Sequence, residues 1–158
     1  MSDTVTFQIS IPTDDDGYVL LKCEHCGELF KCTPNDIESD EVLSVYCPAC
    51  GLTSESYITQ DVMELAQAMV ENYAMDMLDE TLKKMERQFA SNKFVSFKRG
   101  ERPKRKYENP IHSTIEDLQE KQCDYCGRTA KVNPLLKMSG SFCPCCGVIN
   151  FEDEQNRH

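Results

Sequence analysis

The sequence contains no apolar run approaching the ~20 residues of a membrane-spanning helix, so no such helix is expected. Its first residues, Met1-Ser2-Asp3-Thr4-Val5-Thr6, offer neither a basic n-region nor an apolar h-region. No secretory leader is therefore expected, and the expected location is cytoplasmic. The compact motifs of common catalysts are also missing: there is no phosphate-cradling glycine loop, no G-x-S-x-G and no His-Glu metal motif. Histidine is scarce, and His25, His112 and His158 share no ligand spacing. Positive charge is in short supply as well. Seventeen Lys and Arg against 27 Asp and Glu leave a net charge of −10. That balance argues against a general nucleic-acid coat, because phosphate contact rests on clustered basic charge.

Cysteine, by contrast, is abundant. Eight of the ten cysteines form four Cys-x-x-Cys pairs in two sets. Cys23-x2-Cys26 and Cys47-x2-Cys50 are twenty residues apart; Cys123-x2-Cys126 and Cys143-x2-Cys146 are sixteen apart. Both gaps fall in the range of about 15 to 20 residues of a four-cysteine zinc site. Two cysteines three apart in a tight turn aim both sulfurs at one point, and two such turns complete a tetrahedron. A glycine follows the second cysteine of every pair, where the turn needs positive φ. Pro48 and Pro144 stiffen two of the turns. A disulfide framework would call for a secretory leader, and a thioredoxin-like site for a single pair in a βαβ unit. The expected cofactor is Zn2+, two per chain, on Cys23, Cys26, Cys47, Cys50, Cys123, Cys126, Cys143 and Cys146. With four thiolates on each ion no position stays open for water or substrate, which marks structural rather than catalytic sites. The metal should supply much of the folding free energy of such small modules, on the order of 10–16 kcal/mol apparent per site in peptides.

The two sets belong to an internal repeat. At an offset of one hundred, Cys23 to Gly27 matches Cys123 to Gly127, Lys31 matches Lys131 and Pro34 matches Pro134. After a four-residue contraction, Tyr46-Cys47-Pro48 matches Phe142-Cys143-Pro144. Cys32 stands where the second copy has Val132, which predicts a small buried apolar side chain. Cys145 matches Ala49 and is expected to point outward, leaving Cys146 as ligand. His25, between two ligands, is expected to face solvent.

Four segments are expected. Residues 1–60 hold an N-terminal β-hairpin and the first ribbon. Thr4 to Ile11 alternates like a half-buried strand, Asp14-Asp15-Asp16-Gly17 makes a turn, and Tyr18 to Lys22 forms a second strand. The aspartates lack the twelve-residue spread of a calcium loop. Thr33-Pro34 caps a short helix; Val42 to Tyr46 and Thr53 to Ile58 read as short strands. Residues 61–92 form one long amphipathic helix with Asp61 and Glu64 at its cap, acids early and bases late. Its apolar face includes Met69, Tyr73, Met77 and Met85, a candidate partner-binding surface; packing on the ribbons or on a second copy is the plainer alternative. Residues 93–121 comprise a basic segment, with Phe94 to Phe97 and Arg105 to Tyr107 as a hairpin around Arg99-Gly100. A short helix follows, capped by Ser113-Thr114-Ile115-Glu116 and ending near Lys121. Residues 122–158 are the second ribbon and tail. The fold class is α+β: two small β zinc ribbons bridged by one long helix and a basic hairpin or linker.

Charge is unevenly spread. Residues 1–60 carry eleven acids and two bases, net −9, while residues 93–121 carry eight bases and five acids, net +3. Lys98, Arg99, Arg102, Lys104, Arg105 and Lys106, with aromatics beside them, could meet phosphates while the rings stack on bases. Such a run serves equally as a solvated edge or as partner to the chain's own acids. Taken together, Ile11-Pro12, the acidic turn through Tyr18, the first ribbon, the long helix, the basic segment and the closing Phe142-Cys143-Pro144-Cys145-Cys146-Gly147 knuckle resemble a group of uncharacterised bacterial proteins with two zinc ribbons. The resemblance implies zinc on the same eight cysteines and implies no activity. The expected function is a non-enzymatic zinc-binding adaptor or scaffold that engages a protein partner or itself. The alternative is a nucleic-acid-binding, transcription-related protein that uses residues 93–106.

Overall fold

The structure is a computed structural model that describes residues 4–111, 115 and 117–151. It is α+β, in the chain order β1 (Val19–Lys22), β2 (Leu29–Cys32), α1 (Pro34–Ile37), α2 (Gln60–Phe89), β3 (Gln119–Gln122), β4 (Thr129–Val132), α3 (Pro134–Ser139), β5 (Ser141–Phe142) and β6 (Ile149–Asn150). The four anticipated segments group into two compact units. One comprises Ser10–Gln60 with the chain from Ile111 onward; the other comprises Asp61–Pro110 with the chain up to Ile9.

In the ribbon unit, each copy of the repeat opens with the same hairpin. Val19 pairs with Cys32 through to Lys22 with Leu29, and Gln119 pairs with Val132 through to Gln122 with Thr129. The inner strands β2 and β4 then pair antiparallel with Lys31 opposite Lys131, giving one sheet in the order β1-β2-β4-β3. An approximate dyad passes through that lysine pair, and the inner strands are buried because each has a neighbour on both sides. Phe30, Cys32 and Ala130 form the core on one face, with Leu21, Ile37, Val45 and Tyr57 against it. Phe30 is fully buried, and its ring meets Tyr57 edge-on at 5.8 Å; burying such a side chain is worth about 2–3 kcal/mol. Side chains alternate across a strand, so Lys31 and Lys131 emerge on the other face. Like charges directly opposite destabilise a sheet, and here Asp14 lies between them, 3.0 Å from Lys31 Nζ and 2.9 Å from Lys131 Nζ. Asp16 adds a 2.6 Å contact to Lys131, whose ammonium sits 4.7 Å over the Tyr18 ring. Each inner strand runs into a short helix with proline at its start. Thr33 accepts from the Asp36 N–H and Asn133 from the Leu135 N–H.

Several expected elements take other forms. Thr4 to Ile11 makes no strand: no neighbouring chain pairs with it among the described residues, and Val5, Phe7 and Ile11 are exposed. Val42–Tyr46 and Thr53–Ile58 shrink to a single bridge between Tyr46 and Thr53. Nearby backbone groups are taken by Tyr57, whose hydroxyl donates to the Val45 carbonyl and accepts the Ser54 N–H. Ser113, Thr114 and Glu116 of the expected capping box lie outside the described residues. The helix expected to end near Lys121 is replaced there by β3, because pairing with β4 completes the repeat.

In the other unit, α2 spans 30 residues, about 45 Å. It begins at Gln60, so Asp61 stands in the first turn rather than at the cap. No hairpin forms in residues 93–110; the segment doubles back along α2 instead. Phe97 meets Phe89 at 6.5 Å between centroids, Arg99 reaches Asp79, Arg102 and Arg105 reach Asp76, and Lys106 reaches Glu71. Phe97 to Lys106, ten residues, thus travel alongside the nineteen from Phe89 back to Glu71, which at about 1.5 Å per helical residue requires a nearly extended strap.

Candidate metal centres

The four knuckles share one local design. In each, the first cysteine's N–H bonds to the carbonyl five residues on, and the glycine N–H returns to that cysteine's carbonyl: Cys23 with Glu28 and Gly27, Cys47 with Leu52 and Gly51, Cys123 with Arg128 and Gly127, Cys143 with Val148 and Gly147. The glycines have φ of 77, 70, 74 and 73°, a region that L side chains avoid. The closed turn points both sulfurs of a pair inward. The knuckles then face each other as expected, bringing Cys23, Cys26, Cys47 and Cys50 together, and Cys123, Cys126, Cys143 and Cys146.

Within each group the sulfurs lie within 4.8 Å of one another. Cys26–Cys47 is 3.5 Å, Cys23–Cys50 is 3.8 Å, and Cys126–Cys143 and Cys123–Cys146 are both 3.6 Å. A tetrahedron with metal–sulfur bonds near 2.3 Å has edges of about 3.8 Å, so both groups fit one metal ion each. Hydrogen bonds to sulfur support the second site: the Asn150 amide donates to Cys123 Sγ at 3.4 Å and the Cys145 N–H to Cys143 Sγ at 3.4 Å. Such outer contacts orient the ligands and stabilise thiolate.

The thiols of one site are unequal. Burial opposes ionisation of Cys23, but the N–H groups of Cys26 and His25 outweigh it and hold its pKa at about 6. The same balance, aided by Asn150, holds Cys123 at about 7. Burial pushes Cys146 up to about 12 and Cys47 well above the ordinary thiol range. The contact with Cys145, then burial, raises Cys143 likewise.

The two sites are clasped by reciprocal contacts that the repeat predisposes. The Tyr46 N–H bonds to the Pro144 carbonyl at 2.9 Å, and the Phe142 N–H to the Pro48 carbonyl at 3.0 Å. Each aromatic ring covers the opposite knuckle: a methyl on Gly147 would meet Tyr46 at 3.1 Å, and one on Gly51 would meet Phe142 at 3.0 Å. Sequence reading matched Tyr46 with Phe142 and Lys31 with Lys131 without seeing that the lysines face each other and that each aromatic reaches the other copy's knuckle. It also missed Arg128, which crosses to Asp36 and Glu41 of the first copy at 3.3 and 2.7 Å.

Cys32 is buried in the sheet core, as expected, and burial drives its pKa far up. Cys145 does not point outward. It is buried with Cys123 and Cys143, and Val42 of the first copy packs against them. Val42 covers that cluster, so the position matched to half-buried Ala49 becomes interior. His25 is exposed, with Nε2 3.1 Å from the Thr53 carbonyl, and is not a ligand. His112 and His158 lie outside the described residues.

The basic residues proposed for nucleic acid face helical acids. Arg99 contacts Asp79 at 2.6 Å and Glu86 at 3.7 Å; Arg105 contacts Asp76 at 2.8 Å; Arg102 contacts Asp76 at 2.5 Å; Lys106 pairs with Glu71. Lys98 and Lys104 are exposed and make no ion pair among the described residues. Asn72, buried in the helix, pins the strap: its amide donates to the Lys106 carbonyl and Glu108, and its oxygen accepts the Lys106 N–H. Of the candidate partner face, Met69 is half-buried, whereas Met77 is 52% exposed and Tyr73 and Met85 are each 36% exposed. No helix of the described residues is long and apolar enough to cross a membrane. No family profile, curated protein or solved structure matches the chain.

Proposed function

We propose that this chain is a zinc-dependent, non-catalytic interaction protein in which two metal-held ribbons form a rigid scaffold and α2 offers the contact surface. The observation that carries this reading is the donor set: at each site four cysteine sulfurs lie close enough together to take every position of a tetrahedral ion. Sulfur-only tetrahedral sites suit zinc, which then acts as a structural brace with no vacancy for a reacting group. Arg99, Arg102, Arg105 and Lys106 already have carboxylate partners, which favours protein contact over phosphate contact.

Metal analysis after expression in zinc medium should give two zinc ions per chain. Chelation should unfold the ribbon unit, seen as loss of near-UV signal from Tyr46, Tyr57 and Phe30. A chain that stays folded without metal, or that holds a single ion, would overturn the reading. Oligonucleotide anisotropy addresses nucleic acid directly. With Lys93, Lys98 and Lys104 the segment's cations outside ion pairs among the described residues, binding should be weak, with a log–log salt slope no steeper than about −3. A slope of about −5 would restore phosphate recognition by the whole basic segment.

A further inference from the structure

The outward face of α2 is apolar and belongs to neither the strap nor the buried side of its unit. Met63, Val70, Ala74, Leu78 and Met85 are all exposed. At 100° per residue they fall within an arc of about 80°, opposite the buried Ala68, Asn72 and Asp79. From their exposures, which run from 36% at Met85 to 57% at Met63 and Leu78, and leaving aside Tyr73, which is packed edge-on against Phe7 at 5.5 Å, the stripe with Met77 presents on the order of 500 Å². That is at the upper end of what a monomer leaves open. With its polar rim it approaches the ~800 Å² that each partner buries in a standard interface.

The stripe is also a palindrome. Counting outward from Ala74, Val70 and Leu78 stand four residues away on either side, Gln67 and Thr81 seven, and Met63 and Met85 eleven. A two-fold interface requires a patch complementary to its own reversed copy, and this spacing meets that requirement. We infer that α2 pairs antiparallel with α2 of a second copy of this chain, with the dyad at Ala74. Met63 then meets Met85 of the other copy, Val70 meets Leu78, and the polar Gln67 meets Thr81. Alanine at the crossing lets the axes approach to about 8 Å. Glu64, near the start of the helix, approaches the end that carries Lys84 and Arg87, so charge favours the antiparallel arrangement over the parallel one. This rests on reading α2 as the contact surface and names its partner.

Sedimentation of the zinc-loaded full chain tests it. The expected mass is twice 18.1 kDa. Ala74→Arg places two guanidinium groups at the dyad and should give a monomer with unchanged helicity and zinc content; Val70→Lys serves as a second such variant. Met63→Glu and Met85→Lys should each weaken association at least tenfold. The double variant Met63→Glu/Met85→Lys should regain the dimer, because the swapped charges meet across an antiparallel dyad and repel in a parallel pair. A wild-type monomer at every soluble concentration, a dimer that survives Ala74→Arg, or a double variant no better than the singles overturns the inference. A wild-type monomer that still carries two zinc ions would sink the self-pairing alone, whereas failure to hold zinc would sink the scaffold reading.

Discussion

Alanine placed at the four knuckle glycines separates backbone strain from contact between the ribbons. All four have nearly the same positive φ, 70 to 77°, so every substitution carries the same left-handed penalty, about 1–2 kcal/mol. Their surroundings differ. Nothing lies within 4 Å of a methyl at Gly27 or Gly127, whereas the methyl would lie 3.1 Å from Tyr46 at Gly147 and 3.0 Å from Phe142 at Gly51. Carbon atoms prefer about 3.5–4.0 Å. The ring must retreat by roughly half an ångström, and it is tied to the same backbone whose N–H bonds to the opposite proline carbonyl. Overpacking of this kind costs about 1–3 kcal/mol. Gly127→Ala should therefore destabilise the zinc-loaded ribbon unit by about 1–2 kcal/mol, and Gly147→Ala by about 3 kcal/mol. At several degrees per kcal/mol for a unit this size, thermal unfolding followed by near-UV circular dichroism resolves the two. In a Tyr46→Ala background the excess at Gly147 should vanish. If Gly147→Ala and Gly127→Ala agree within about 0.5 kcal/mol, the rings do not clasp the knuckles as described.

Asp14→Asn should destabilise the ribbon unit by on the order of 3 kcal/mol in denaturant titrations, since it leaves buried Lys31 and Lys131 facing each other. Burial raises the Asp14 pKa, but the Tyr18 N–H and both ammonium groups outweigh it and hold it well below the carboxylate range; Asp16 and Asp14 carry Lys131 well above the ordinary lysine range against its burial. The lowered carboxyl loses its stabilisation only as pH falls through its folded value, and the raised ammonium only as pH rises through its own. The gap between wild type and Asp14→Asn should hence stay flat from about pH 6 to 9; a gap that narrows inside that window would contradict the clasp. Because the ribbon unit should unfold without metal, its cysteines meet zinc as ordinary thiols, and binding at neutral pH should release about four protons per site. Calorimetry in buffers of different ionisation heat counts them, and a release of about two per site would show that the metal-free knuckles are already closed. Asn72→Ala removes three hydrogen bonds to the strap; at about 1–2 kcal/mol net, tryptic cleavage around Lys104 should speed up roughly tenfold, and an unchanged rate would show that the arginine contacts suffice.

The metal ligands were legible because ligand chemistry is local: two cysteines three apart with glycine behind them specify a knuckle before any tertiary contact exists. α2 was legible for the same reason, through its period and its freedom from glycine and proline. Strands were harder. Tyr18–Lys22 was found next to a knuckle, yet the equally regular alternation of Thr4–Ile11 makes no strand, since alternation specifies a face and not a pairing partner. Gln119–Gln122, with no apolar residue, became a strand because β4 was there to receive it. The basic segment was read by its charge, but its conformation is set by Asp76, Asp79 and Asn72, far away in sequence and inconspicuous until the strap lies on them.

The exchanged rings over Gly51 and Gly147 also bear on how the ions arrive. Until a knuckle is closed, it offers its neighbour neither a shaped glycine to sit beneath the ring nor a fixed carbonyl to accept from Phe142 or Tyr46. Loading the first site therefore lowers the ordering cost of the second, and by linkage the second steadies the first to the same degree. Half-filled chains should then be the scarce species in a metal titration, and two independent binding steps would refute the coupling.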